Sequence, residues 1–444
     1  MKNRTFLILI IIFVLILGFG TYYYLFIYNK PADNTVVIDN TDPKNTSKNP
    51  FSPFGNDQTS SSTNPDGSEP VSSNVDANNP NTTELPKLRL ISADPVSGAV
   101  AISSASTTII RYMDRGLGHI IETKTDGQDI VKVSNKTIPK IYQTIWARDG
   151  MSAFVKYIPE SEDGFNEVVK TNYLYIVDPP KPKVTATSIG TSTSTLEEIP
   201  SNTLKDTFFS YVNPDMKNVV PAPTTVKEKA FAYLTNNDSG STGYIYYPIT
   251  DKFVQTFSSP LKNWNMFWAD KNTILLANKA TGYGLSTLFS YDITKKTTSR
   301  LFSGRGLTVL PNPDYKKIAY SVTSNNVLSL YIYDVTTKKS EKTILPTLTE
   351  KCVWGTRDTN SLYCGAPSNV PNAVFPDSWY KGINLFTDKI WRLDTETGET
   401  TLMGDLYALS KKSLDVINPT LDPKEGYMIF NDKHDMSLWS LELK

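Results

Sequence analysis

The chain has 444 residues, enough for a membrane segment, a linker and one large domain or two ordinary ones. Lys plus Arg and Asp plus Glu both total 45, so there is no basic surplus to neutralise phosphates, and no nucleic acid partner is expected. The 24 Tyr, 19 Phe and 7 Trp are strand-forming residues, and they favour an all-β fold.

Residues 5–28 carry no charge and, at about 1.5 Å per residue, are long enough to cross the roughly 30 Å hydrocarbon core of a bilayer. Lys2 and Arg4 precede this segment and tyrosines crowd its far end, as in helices whose N-terminus is cytoplasmic. We predict a cytoplasmic tail at 1–4 and a transmembrane helix at 5–28 that contacts the lipid bilayer. The remaining chain is then extracytoplasmic and tethered to the cell membrane. A cleaved signal peptide is the alternative, but bulky residues such as Tyr22 stand where small ones are needed for cleavage.

Residues 29–86 are dominated by Asn, Ser, Thr, Pro, Asp and Gly, and Phe51 and Phe54 are their only aromatic residues. Such a composition cannot bury enough apolar surface to offset the entropy lost on ordering. This segment is predicted to be a disordered linker. Its r.m.s. reach of roughly 40 Å would hold the following domain clear of the bilayer.

Short runs of Val, Ile, Tyr, Phe and Thr alternate with Asn, Asp, Pro and Gly turns throughout residues 87–444, which is typical of many antiparallel strands. A longer period overlies this pattern, in which an apolar strand enters an Asp-bearing turn and two further strands follow. The turn aspartates stand about 44 to 66 residues apart, at positions 149, 215, 270, 314, 358 and 422. With a first unit at 99–133, this spacing predicts a β-propeller of about seven four-stranded blades.

The last repeat ends at Lys444 after only three evident strands. We predict that residues 88–91 supply its outer strand and close the ring, which removes exposed strand edges. Six or eight blades remain alternatives. The segment 312–320 (Asn-Pro-Asp-Tyr-Lys-Lys-Ile-Ala-Tyr), followed by 330–335 (Leu-Tyr-Ile-Tyr-Asp-Val), is similar to the Ser-Pro-Asp-Gly-Lys strand pair of the TolB-type, WD40-like (PD40) β-propeller repeat family. This resemblance implies the fold much more than a function.

Cys352 and Cys364 are the only cysteines, and they flank a turn centred on Asp358. In an antiparallel hairpin they would lie directly opposite each other, so we predict a disulfide, with two buried free thiols as the alternative. Closing a loop of this length contributes roughly 3 kcal/mol in the chain-entropy model. The two cysteines are too few ligands for a metal site, because the two histidines of the chain belong to distant repeats.

The chain contains no nucleophile elbow, no phosphate-binding loop, no dinucleotide-binding glycine motif and no zinc-protease motif. We therefore predict neither an enzyme nor a cofactor. A carbohydrate-active hydrolase needs only two suitably spaced carboxylates at the propeller axis, so composition leaves that class open as an alternative. The turn aspartates are poor candidates for this role, because such residues commonly hydrogen-bond their own turn.

Loops that join second and third strands open on one face of a propeller, and this chain carries inserts there at 159–171 and 365–388. The first and last repeats have matching loops at 115–119 and 431–435. We predict a recognition face for an envelope protein or a glycan; its candidate residues are Trp379, Tyr380, Phe375, Arg115, His119 and His434. In the alternative reading, the aromatic residues pack their own insert and the histidines are structural. A purely structural envelope spacer is a further alternative.

Overall fold

The computed structural model describes residues 86–104, 107–134, 136–159, 169–177, 206–212 and 216–444. These residues form seven antiparallel sheets of four strands each, arranged as a seven-bladed β-propeller. The predicted all-β class and blade number are confirmed. Within these ranges no helix is long and apolar enough to cross a membrane. The predicted transmembrane segment at 5–28, and all but the last residue of the predicted linker, lie outside them.

Each blade runs from an inner strand at the central channel to an outer strand at the rim. The inner strands of blades 1 to 7 are β2 (Val96–Ser104), β6 (Ile141–Trp146), β10 (Lys217–Pro221), β14 (Trp264–Asp270), β18 (Thr308–Pro311), β22 (Cys352–Trp354) and β26 (Val416–Leu421). The second strands are β3 (Thr107–Asp114), β7 (Ser152–Tyr157), β11 (Phe231–Asn237), β15 (Thr273–Asn278), β19 (Lys317–Ser324), β23 (Ser361–Pro367) and β27 (Tyr427–Asp432).

The third strands are β4 (Ile120–Lys124), β8 (Lys170–Val177), β12 (Gly240–Tyr247), β16 (Leu285–Asp292), β20 (Val327–Asp334), β24 (Asp388–Asp394) and β28 (Leu438–Glu442). The outer strands are β5 (Val131–Lys132), β9 (Asp206–Tyr211), β13 (Lys252–Ser259), β17 (Thr297–Arg305), β21 (Ser340–Lys342), β25 (Thr400–Asp405) and, for blade 7, β1 (Leu88–Ser92). Three short helical turns accompany them: α1 (Asp377–Tyr380), α2 (Leu406–Ser410) and a 3₁₀ turn at Thr349–Lys351.

The first strand of the described chain completes the last blade. Strand β1 pairs antiparallel with β28, and Leu88 lies opposite Leu441. This confirms the predicted closure by residues 88–91. Strand β1 covers the outer edge of β28, which would otherwise be unpaired, and the closure makes the ring dependent on residues from both ends of the domain.

Strand β7 shows why the sequence folds as stacked blades, because five of its six residues are buried. Side chains alternate along a strand, so neighbouring residues face opposite sides of the sheet. Ala153 and Val155 pack with Val100 of blade 1. Phe154 faces blade 3, where its ring lies 4.7 Å from that of Phe231 in an edge-on contact. A strand buried on both faces is stable only when a blade stands on each side of it.

The repeated aspartates of the sequence stabilise their own turns, and two tryptophans form hydrogen bonds to the preceding blade. Asp270 accepts the backbone N–H of Asn272 at 2.7 Å, and the other described turn aspartates bond their own turns similarly. Trp146 at the end of β6 donates its indole N–H to the carbonyl of Gly98 in the preceding blade, at 3.1 Å. Trp354 at the end of β22 makes the equivalent bond to Leu310 at 3.0 Å. Hydrogen bonds within the turns therefore stabilise each repeat, and the tryptophan hydrogen bonds connect blades 2 and 6 to the blades before them.

Cys352 and Cys364 form a disulfide, as predicted. They lie directly opposite each other in the β22–β23 pairing, with Cα atoms 4.1 Å apart. Both are buried, in the apolar layer between blades 5 and 6. The bond joins the inner strand of blade 6 to its second strand.

Candidate functional site

One face of the ring carries the loops between second and third strands and the connections from each blade to the next. Both kinds of loop emerge on the same side because the four strands of a blade alternate in direction. We call this side the loop face. All six predicted recognition residues belong to loops on it.

The structure buries two of these six residues. Phe375 is fully buried and Trp379 is 1% exposed, in an apolar cluster with Leu328, Leu348 and Phe386. Phe375, Trp379 and Phe386 of the blade 6 insert thus pack against one another, as the alternative interpretation expects. Phe375 and Trp379 therefore have almost no surface available to a ligand in this conformation.

The other four residues are at least partly accessible. Tyr380 is 41% exposed, and its hydroxyl donates a hydrogen bond to the carboxylate of Glu350. Burial is the main cause that raises the pKa of both groups. His434 Nδ1 lies 2.7 Å from Oδ1 of Asp432. These contacts hold Tyr380 beside blade 6 and His434 on blade 7.

Arg115 and His119 share the second-to-third strand loop of blade 1. The guanidinium of Arg115 donates to the carbonyl of Ile141 at 3.2 Å, and His119 Nε2 lies 3.4 Å from the hydroxyl of Thr137. Desolvation lowers the pKa of His119. The four accessible residues therefore occupy three sectors of the loop face, on blades 1, 6 and 7, and their role in recognition remains a prediction.

A fully buried ionic cluster holds the blade 6 insert. Lys351, Asp388 and Asp415 are all inaccessible to solvent; the ammonium of Lys351 lies 2.6 Å from Asp388 and also pairs with Asp415. Asp415 accepts the indole N–H of Trp379 at 2.8 Å and the backbone N–H of Phe386 at 3.0 Å. The Lys351 ammonium faces the Phe386 ring at 4.8 Å from its centre. The cluster thus anchors both the ring of Trp379 and the end of the insert.

The cluster also bears on the hydrolase alternative. Burial raises the pKa of Asp388 to about 6, although its ion pair with Lys351 opposes this change. Asp388 and Asp415 are closed off from solvent and paired with a lysine, so they are not two free carboxylates at a pocket mouth. Among the described residues no group of three or more His, Cys, Asp or Glu side chains is arranged to hold a metal ion.

A cavity of about 670 Å³ opens on the loop face over blades 2, 3 and 4. Its wall combines the first residues of the inner strands with the last residues of the second strands. Three lysines contribute to it: Lys156, Lys217 and Lys279. Five amide side chains join them: Gln143, Asn218, Asn236, Asn263 and Asn265. Tyr142, Trp264 and Phe267 supply aromatic surface. The lining residues that the structure describes include no carboxylate, and no motif in the sequence predicts this site.

Several polar groups of this cavity have no hydrogen-bond partner among the residues that the structure describes. Asn218 and Asn236 accept hydrogen bonds from the protein itself. Gln143, Asn263 and Asn265 make no side-chain hydrogen bond within the described ranges. Each amide carries both a donor and an acceptor, so these three can receive hydroxyl groups from a ligand.

Lys156 is the most unusual member of the lining. It is 8% exposed, yet no ion pair or hydrogen bond of its ammonium is found in the described part of the chain. Burial is the main cause that lowers its pKa to about 8, and the charge of Lys217 contributes in the same direction. A buried cation without a counter-charge is costly for the free protein.

No family model and no curated protein sequence matches the chain. Solved structures with a similar fold include TolB from Acinetobacter baumannii, with 12% identity over 78% of each chain and a TM-score of 0.39. Virginiamycin B lyase from Staphylococcus aureus has 13% identity over 81% of this chain and 99% of that chain, with a TM-score of 0.44. A puromycin-hydrolysing peptidase from Mycobacterium tuberculosis has 11% identity over 78% of this chain and a TM-score of 0.44. The matched region spans about half of that peptidase, 52%. At these identities the similarity concerns the fold alone.

Proposed function

We propose that this protein is a binding module, tethered outside the cytoplasm by residues 5–28, that takes an envelope glycan into the cavity over blades 2, 3 and 4. The observation that carries the proposal is the lining of that cavity. It combines unengaged amides with aromatic surface on a rigid ring, and such convergent polar groups in a concave site are typical of ligand pockets.

The lining suits a polyhydroxylated ligand. The side chains of Gln143, Asn263 and Asn265 offer donors and acceptors to hydroxyl groups. Tyr142 is 56% exposed and presents a ring to the apolar face of a sugar. The volume of about 670 Å³ accommodates a ligand of more than one sugar unit, since drug-sized ligands occupy pockets of roughly 300 to 1,000 Å³.

Two observations support a location outside the cytoplasm. The uncharged segment at 5–28 has the length of a membrane span, with basic residues before it. The disulfide between Cys352 and Cys364 is of a kind that persists in oxidising compartments and is rare in the cytosol.

An envelope protein is the second candidate partner, and Tyr380 favours it. This residue is 41% exposed on an insert that the buried cluster around Lys351 holds in place, and rigid exposed tyrosines are common in protein interfaces. In this version the cavity is incidental, and the accessible loop-face residues Tyr380, Arg115, His119 and His434 make the contacts.

Site-specific photo-crosslinking of the full-length chain in intact cells tests these candidates. The photoreactive analogue p-benzoylphenylalanine replaces Tyr142 in the cavity, Tyr380 on the loop face, or Lys339 on the opposite face as the control. The proposal expects glycan attached at position 142 and none at 339. Protein captured at 380 with nothing at 142 would favour the second candidate.

Two further outcomes separate the remaining alternatives. No adduct at either 142 or 380 would contradict a binding function and favour the structural spacer. If glycan is captured, the full-length protein is incubated with the same glycan and the chain length of the sugar is measured. Shortened sugar chains would indicate a hydrolase, whereas an unchanged chain length supports a binding module.

A further inference from the structure

We infer that the ligand of the cavity over blades 2, 3 and 4 is an anionic glycan, whose carboxylate or phosphate group is received by Lys156 with Lys217 nearby. This inference rests on the proposed function, since it names the class of glycan that the same cavity takes. The shared chemistry of the two possible groups is a negatively charged oxygen cluster on a sugar chain.

Lys156 has no counter-charge among the described residues. Lys156 is more than nine-tenths buried, and its ammonium has no ion pair or hydrogen bond in the described part of the chain. The ammonium keeps a small accessible surface on the cavity wall, but burial of the rest of the side chain removes most of its hydration, which is costly for a lysine without a partner. A ligand that brings an anion to this position supplies the missing partner and offsets that cost.

The described lining of the cavity concentrates positive charge. The charge of Lys217 acts on Lys156, and both line the cavity together with Lys279. No described lining residue is an aspartate or glutamate. Like charges destabilise one another, so an anionic ligand relieves the repulsion between Lys156 and Lys217, whereas a neutral ligand does not.

The register of strands β6 and β7 places an amide beside Lys156. Gln143 lies directly opposite Lys156 in this antiparallel pairing, so both side chains project from the same face of blade 2. An amide beside an ammonium can hold the charged group of a sugar and a neighbouring hydroxyl together. Tyr142, the residue before Gln143, adds aromatic surface to the cavity lining. This combination fits a charged sugar better than a free ion.

Calorimetric titration of the full-length chain with three matched probes tests the inference. The probes are cellotetraose, cellotetraose oxidised at C6 to carboxylates, and cellotetraose phosphorylated at C6. We expect one or both charged probes to bind at least about tenfold more tightly than the neutral probe, with weaker binding at high salt. The tighter of the two charged probes distinguishes a carboxylate from a phosphate source.

Lys156→Met removes the charge and keeps the length of the side chain, while Lys339→Met makes the same charge change on an exposed turn of the opposite face. We expect Lys156→Met to abolish the preference for the charged probe and Lys339→Met to retain it. Lys156→Arg, which keeps the charge, should retain part of the preference. Thermal unfolding of each variant confirms that it is folded, and Lys156→Met should melt no lower than the wild type.

Three results would overturn the inference. One is equal binding of neutral and charged probes, and another is an unchanged preference for the charged probe in Lys156→Met. Either result would be compatible with glycan binding and would contradict only the anionic class of the glycan. The third is that none of the probes binds. Photo-crosslinking at position 142 then shows whether the proposed function fails as well, because glycan captured there would retain it.

Discussion

Arg89 donates a hydrogen bond of 2.8 Å to Glu442, a residue 353 positions later in the chain. The guanidinium is almost fully buried and also lies over the ring of Tyr427, 5.5 Å from its centre. This contact and the β1–β28 pairing around it join the two ends of the propeller. The stability of the whole ring therefore depends on the short strand β1.

Two leucines of β1 provide a matched test of this closure. Leu88 is 7% exposed and packs with Leu441, whereas Leu90 on the same strand is 43% exposed. Leu88→Ala should lower the free energy of unfolding by about 2 to 5 kcal/mol, because it removes buried methyl groups and leaves a cavity. Leu90→Ala should cost less than about 1 kcal/mol. Denaturant unfolding followed by tryptophan fluorescence measures both, and equal losses would mean that β1 does not close the ring.

The disulfide gives a second prediction. A double variant, Cys352→Ala with Cys364→Ala, should lose roughly 3 kcal/mol of stability, because the unfolded chain gains the freedom of an open loop. Unfolding with and without dithiothreitol provides the control, since reductant should lower the midpoint of the wild type and leave that of the double variant unchanged. A wild type that is insensitive to reductant would contradict the prediction.

The strands, the closure and the disulfide could be predicted because their signals are local or periodic. Alternating apolar residues, Asp-bearing turns and the even spacing of the cysteines around Asp358 each follow from short-range geometry. The missing outer strand of blade 7 followed from counting strands. These features need no knowledge of which distant residues meet.

The buried cluster and the lysine-lined cavity could not be predicted in this way. Lys351, Asp388 and Asp415 stand far apart in the sequence, and each alone has the pattern of a solvated charge. Lys156 follows three consecutive apolar residues near the end of β7, where a lysine would ordinarily be expected to reach solvent. Trp379 in a long insert is equally compatible with a ligand contact or a packed core. Only the stacking of the blades determines whether each of these side chains is buried or exposed.

The third prediction concerns the cluster. Lys351→Met should destabilise the protein by about 3 to 5 kcal/mol, because it leaves the buried carboxylates of Asp388 and Asp415 unpaired. Lys389→Met is the matched control, since the pair of Lys389 with Asp405 is 2.8 Å long but about one-third exposed. Its loss should cost less than about 1 kcal/mol. Similar losses for the two variants, measured by denaturant unfolding, would show that the cluster does not support the insert.

The fourth prediction follows from the lowered pKa of Lys156, about 8 in the folded protein, against roughly 10.4 in an unfolded chain. Between these values the unfolded chain binds more protons than the folded protein, so this residue makes stability rise with pH across that window. Below pH 8 its buried charge costs roughly 3 kcal/mol, and above about pH 10.5 the cost disappears.

Lys217 on β10, Lys279 after β15 and Tyr142 on β6 are ionisable residues that line the same cavity, so the informative quantity is the difference between the wild type and Lys156→Met. The variant should be more stable than the wild type by up to about 3 kcal/mol at pH 7, and the two should converge near pH 10.5. Lys339→Met should track the wild type throughout. The difference in the free energy of unfolding between the wild type and Lys156→Met is therefore expected to change from pH 7 to 10.5. A constant difference would mean that Lys156 is already neutral or already paired at pH 7, and that the cavity contains no unpaired lysine cation.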